Sequence, residues 1–189
     1  MTTGITFWSG KKEYKSLSNF WECEVVIIDD SIQYMYNSGE HCFHGEKYRR
    51  VGKLCEDADR RNQLLEYSKL FLKDGKFPTA LKAKSAGGKK GLELRKNELD
   101  LWSKICLDVQ YNICNYKFDN YEEVRTDLKK SIGSLLIHSA SRCSEKQYEK
   151  QYWAGKLVER DGIKMVIGGN KLGECWMEIR DRMVENVEG

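Results

Sequence analysis

The sequence predicts an α+β fold, a helix-rich single domain with a small antiparallel sheet. Apolar runs of strand length stand near both ends of the chain, and helical periodicity fills the middle. The two patterns do not alternate as the units of a doubly wound sheet would. With 189 residues, 40% of them hydrophobic, the chain is long enough for one buried core. One domain is therefore expected over residues 1–189, with its core at about 5–186.

Taken in order, Ile5-Thr6-Phe7-Trp8 is the first apolar run. Cys23–Ile28 and Ile32–Tyr36 flank Asp29-Asp30-Ser31, a hairpin signal. Asn37, with Glu40 three residues later, has the form of a capping box, so a helix is expected to begin near Ser38 or Gly39. Asp57 to Leu72 has few breakers and reads as helix. Leu99, Trp102, Cys106, Val109 and Ile113 recur at spacings of three and four and form one helical stripe within Asn97–Tyr116. Asn120 is expected to cap a further helix through Lys130. Leu135–His138 and Ile163–Ile167 read as strands. After Gly168-Gly169-Asn170, a last helix carries Leu172, Trp176, Ile179 and Met183 on one face.

Composition excludes several classes. No apolar run reaches the ~18–20 residues of a bilayer span, and Met1–Ile5 lacks the halves of a secretory signal. Five Trp, ten Tyr and six Phe exclude a disordered chain. Seven cysteines without a C-x-x-C pair argue against a disulfide framework or a four-cysteine zinc site. They point to a reducing compartment, cytoplasmic or, in a eukaryote, nuclear. A net charge of +3 is too small for a protein that coats nucleic acid. From Lys69 to Lys96, however, nine Lys or Arg face only Asp74 and Glu93, a local +7. That stretch is either a solvated face or a surface for phosphate.

Chemistry concentrates in a few segments. Leu17-Ser18-Asn19-Phe20-Trp21 falls in the loop between the first two strands. Ser18 and Asn19 suit turn bonding, while adjacent aromatics offer faces on which a nucleobase stacks at ~1–3 kcal/mol. Glu40, His44 and Lys47, spaced four and three apart, share one side of the expected helix, with Cys42 and Phe43 pointing elsewhere. A carboxylate and an amine so placed fit a surface ion pair, or acid–base or covalent work on a sugar. His41 and His44 lack a third strong ligand, so no metal is expected. Gly168–Gly173 enters a helix N-terminus, a setting that suits phosphate, but it matches neither a P-loop nor a dinucleotide fingerprint.

In this order the segments resemble the NADAR, or YbiA-like, N-glycosidase family. The resemblance is carried by Leu17-Ser18-Asn19-Phe20, Glu40-His41 with Phe43 and Lys47, Trp102, and Lys117-Phe118. It continues with Tyr152-Trp153 and Gly155, then Asn170-x-Leu172-Gly173 with Met177 and Arg180. It implies a compact α+β domain that cleaves the C–N bond between ribose and a base-like or amine leaving group. The implied substrates are ADP-ribosylated guanine or related adducts, free or attached to nucleic acid. The alternatives are ribosylamino-pyrimidine intermediates of riboflavin synthesis, or a non-catalytic module that binds ADP-ribose or a nucleotide. No cofactor is implied.

The resemblance assigns Glu40, Lys47 and Trp102 to catalysis. Glu40 would stabilise the oxocarbenium or orient water, and Lys47 would bind phosphate or a hydroxyl or attack the opened sugar. Substrate binding would fall to Ser18, Asn19, Phe20, His41, His44, Glu149, Tyr152, Trp153, Asn170, Gly173 and Arg180. The chain departs from the family pattern in having His44 for Gln and Ile137 for Glu. It also has Lys150 where Asp precedes the Tyr-Trp element, with Glu149 beside it as the carboxylate that a one-residue slip would supply.

Overall fold

The structure is a computed structural model that describes residues 3–140 and 143–188. It is α+β and helix-rich, as the periodicities require. The chain forms two compact units, one of residues 19–116 and one built from the chain up to Ser18 and from Lys117 on.

In the unit of residues 19–116, β2 (Glu22–Asp29) and β3 (Ile32–Ser38) form an antiparallel hairpin. Its turn residues Asp30 and Ser31 both have positive φ, 51° and 65°, the sense of turn that matches strand twist. β3 runs straight into α1 (Gly39–Lys53). The cap is Ser38, not Asn37: Ser38 Oγ accepts from His41 N at 3.3 Å, while Asn37 Nδ2 donates to Lys73 O at 2.9 Å. Strand alternation decides this, because Tyr36 and Ser38 lie on the buried side and Asn37 does not.

α2 (Ala58–Lys69) is capped by Asp57, and α3 (Ala80–Gly87) by Thr79. The lysine-rich sequence hides α3, but Ala80, Ala83 and Gly87 give it a small buried stripe that packs on α1. In α4 (Lys96–Asn120) the expected stripe is buried from Cys106 through Val109 to Ile113, and Leu99 turns out to be exposed. The core carries an aromatic cluster, with Tyr48 stacked on Phe71 at 5.7 Å and Phe71 meeting Phe77 at 4.8 Å. Beside it, fully buried Glu46 accepts from Tyr36 Oη at 2.7 Å, from Arg49 at 2.7 and 2.6 Å, and from Arg50 at 3.1 Å.

In the other unit, β1 (Gly4–Phe7) pairs with β4 (Leu135–His138) in parallel register. α5 (Glu122–Lys130) starts behind Tyr121; Asn120 ends α4 and is not the cap. After the short α6 (Glu145–Tyr148), β5 (Lys156–Arg160) and β6 (Ile163–Ile167) form a second antiparallel hairpin. Its turn is Asp161-Gly162, again with both φ positive, at 52° and 77°. α7 (Lys171–Glu188) packs on β4.

Every polar group on the side of β4 away from β1 has a partner. Leu136 N bonds Met177 Sδ at 3.4 Å, and Asn170 Nδ2 donates to Leu136 O at 2.9 Å. His138 N donates to Asn170 Oδ1 at 2.9 Å, and Gly155 N donates to His138 O at 2.8 Å. Among the described residues, no helix is long and apolar enough to cross a membrane.

Candidate functional site

The first turn of α1 is held by the loop before β2. Glu40 N donates to Asn19 O at 2.8 Å. Asn19 is itself fixed by a reciprocal amide pair with Gln110, at 2.7 and 3.1 Å. His41 is buried and uses both ring nitrogens, Nδ1 with Ser38 Oγ at 2.8 Å and Nε2 with Phe77 O at 2.9 Å. A carbonyl only accepts, so Nε2 carries the proton and Nδ1 accepts from the Ser38 hydroxyl. Burial lowers the pKa of His41. Asn19 and His41, expected to bind substrate, therefore give their side chains to the framework that aims the next residue, Glu40.

Glu40 is nearly buried, at 7% exposure. Its Oε1 lies 3.2 Å from His44 Nε2, one turn on, and 3.9 Å from the ammonium of Lys84 on α3. The Lys84 ammonium also stands 5.0 Å from the centroid of the Phe20 ring. Burial, opposed by the Glu40 charge, lowers the pKa of His44, so near neutral pH the imidazole is uncharged and donates from Nε2 to the carboxylate. Its Nδ1 is buried without a hydrogen-bond partner. Gly87 covers the ring so closely that a Cβ there would overlap it, and the backbone of α3 thus holds His44 against Glu40.

Lys47, a turn further along, is largely withdrawn from water and donates to Gly87 O. Its ammonium lies 4.5 Å from the Tyr48 ring centroid. Burial lowers its pKa to about 8. Trp102 is half-buried and meets Phe43 edge-on at 5.0 Å, and Phe43 meets His44 in the same way at 5.4 Å. One unit thus brings together Phe20, Glu40, His44, Lys47 and Trp102 of the predicted set.

Asn19 and His41 belong to the same unit, and Ser18, Glu149, Tyr152, Trp153, Asn170, Gly173 and Arg180 lie in the other. Ser18 is buried, and its carbonyl accepts from the fully buried ammonium of Lys117 at 3.0 Å. Tyr152 is exposed and meets half-buried Trp153 edge-on at 4.9 Å. Glu149 is exposed at the end of α6.

Three of this set prove to be structural. Asn170 spends its amide on β4. Gly173 sits where a Cβ would overlap Leu136 O and lie 2.6 Å from the Asn170 amide atoms. Arg180 is buried and donates to Ser131 O at 2.9 Å and Ser134 O at 2.7 Å. The glycine turn before α7 is no anion cradle either. Its N–H groups at Gly169, Asn170, Lys171 and Leu172 already donate to carbonyls of Gln151, Ala154, Tyr152 and Trp153.

The basic stretch is partly neutralised. Lys69 pairs with Glu66 at 2.5 Å, Lys73 with Glu24 at 2.6 Å, and Arg95 with Asp57 at 3.2 Å. Among the described residues, no group of three or more His, Cys, Asp or Glu is placed to hold a metal. Lys84 and Gly87 are the site residues that sequence reasoning missed. The one signal for them was the +7 stretch, which contains both.

The NADAR domain family matches the chain over residues 6–184. The chain belongs to the NADAR family. This family is associated with N-glycosidase activity. The chain is also similar to the E. coli protein YbiA, whose structure was solved by NMR, with 24% identity and a TM-score of 0.60. The match covers 100% of this chain and 90% of that one. It places the NADAR chain in the YbiA-like α+β fold. No curated protein is significantly similar to it.

Proposed function

We propose that the protein hydrolyses a ribosyl C–N glycosidic bond, most readily in an ADP-ribosyl adduct such as ADP-ribosylated guanine, with Glu40 as the catalytic carboxylate. The observation that carries this reading is the company Glu40 keeps: a nearly buried carboxylate, oriented by a neutral histidine. As the C1′–N bond breaks, its electron pair leaves with the base and positive charge grows on C1′. A carboxylate withdrawn from water stabilises that charge and orients the water that adds to C1′. One proton of that water stays in the new C1′ hydroxyl; the other passes to the carboxylate or solvent, and the departing nitrogen takes up one proton in exchange, so that water is added across the C1′–N bond. Exposed Lys82, Lys84, Lys89 and Lys90 on and after α3 favour a substrate that carries phosphate.

One observation supports a second route. With a pKa lowered to about 8, Lys47 is partly an unprotonated amine near neutral pH. Attack of its Nζ on C1′ of the opened sugar, with departure of the base, gives an imine that water then hydrolyses.

The test is release of free base from ADP-ribosylated guanine and from a ribosylamino-pyrimidine in one assay. Glu40→Gln is expected to abolish release while the chain stays folded, and near-normal turnover by that variant would overturn the reading. Borohydride added during turnover would reduce an imine to a stable adduct, so a mass increase on Lys47 selects the lysine route and its absence the water route.

A further inference from the structure

Lys84 has no part in the bond-breaking steps above, yet it stands beside the carboxylate assigned to them. It projects from α3 with 58% of its side chain exposed. Its ammonium nevertheless stands 3.9 Å from Glu40 Oε1 and 5.0 Å from the Phe20 ring centroid. A cation beside a carboxylate and over an aromatic face is also what a ribosyl cation forming at C1′ requires. Two cations cannot share that position, so Lys84 must leave before the reaction can proceed.

The four-carbon stem of a lysine allows such a move, and a phosphate is the group most able to draw the ammonium away. An unphosphorylated riboside offers nothing in exchange. Lys82, Lys89 and Lys90 are also exposed on α3 and the turn after it, so an approaching phosphate finds a positive field on this side of Glu40.

We propose that Lys84 is a displaceable placeholder that makes the site selective for phosphorylated ribosyl compounds. In the free protein it holds the position of the reacting cation, and in the complex it binds the phosphate of the substrate. The inference rests on the reading of Glu40 given above.

Two probes separate the two duties. Ribose 5-phosphate supplies the phosphate, and a phosphate-free cationic iminoribitol imitates the charged sugar; both are titrated calorimetrically into the native chain, Lys84→Ala and Lys84→Arg. Lys84→Ala should weaken ribose 5-phosphate about tenfold or more, and Lys84→Arg by less than about threefold. The same Lys84→Ala change should tighten the iminoribitol about threefold or more, since it removes a like charge from the position the probe takes. Effects of opposite sign on the two probes support the placeholder.

Unchanged affinities, a parallel loss on both probes, or no binding of either by the native chain would overturn it. Glu40→Gln distinguishes the two readings. If that variant binds the iminoribitol as tightly as the native chain, the reading of Glu40 falls and the placeholder with it. If iminoribitol binding depends on Glu40 and Lys84→Ala shows no opposite-sign response, the placeholder alone falls.

Discussion

Glu40 and Glu46 project from the same helix into opposite surroundings. Glu46 is enclosed by Arg49, Arg50 and the Tyr36 hydroxyl, with both oxygens engaged. Glu40 meets a neutral imidazole and the ammonium of an exposed lysine at 3.2 and 3.9 Å. The first arrangement neutralises a carboxylate inside the core, and the second sets one beside an uncharged ring.

Their amide variants should therefore separate stability from activity. Glu40→Gln is expected to lower turnover by about 10²–10⁴-fold with little change in Tm. Glu46→Gln removes the buried carboxylate that Arg49 holds besides Asp29 and Arg50 holds besides Asp108, and is expected to cost up to about 3–5 kcal/mol, the penalty of breaking a buried ion pair. Thermal unfolding and base release measured on both proteins check the contrast.

Acid should weaken the fold through its buried histidines. Burial holds the pKa values of His41 and His44 below the ordinary 6.5. The unfolded chain then takes up protons below that pH while the folded chain resists them. Stability present above about pH 6.5 is lost as pH falls, with a slope of up to ~1.4 kcal/mol per pH unit for each histidine. Denaturant titrations between pH 7.5 and 5 should show this decline, and it should be shallower in His44→Gln, which also retains a donor to Glu40.

Lys47 acts in the same sense at higher pH. Its ammonium is held at a cost, with the pKa lowered from 10.5 to about 8. Between those values the unfolded chain binds the extra proton, so native stability should rise with pH by an amount on the order of 3 kcal/mol. Lys47→Met should lack that rise, match or exceed native stability at pH 7, and lose activity. Unfolding curves at pH 7 and pH 10 are the measurement.

Gly173→Ala tests a residue that the family pattern marks but the structure assigns to packing. The new methyl would push α7 from Leu136 O and the Asn170 amide. A loss of about 1–3 kcal/mol is expected, with ligand affinity unchanged in the protein that remains folded. Calorimetric unfolding with ribose 5-phosphate titration reads both quantities.

Much of this was legible in the sequence, for identifiable reasons. The first hairpin and the helix carrying Glu40 announce themselves through alternation and breakers, and the capping signal located the right turn while naming the wrong residue. Asn37 and Ser38 are both good caps, and only the strand's alternation tells which one faces inward. Of the second hairpin only Ile163–Ile167 was legible; its partner Lys156–Arg160 escaped although Asp161-Gly162 is a strong turn signal, because that strand is short and charged. α3 escaped because small residues bury it. Within the site, the spacing of Glu40, His44 and Lys47 was enough to group them. The close approach of Gly87 and the reach of Lys84 depend on how α3 packs against α1, which no local pattern encodes.

Asn170 has a consequence beyond its bonds. A parallel pair of strands presents an outer row of main-chain donors and acceptors, the template on which a foreign strand docks and chains begin to aggregate. One side-chain amide supplies both partners at the centre of that row. Its removal would touch no residue of α1 yet open a self-association seam, so damage at this position would be seen first as insoluble protein.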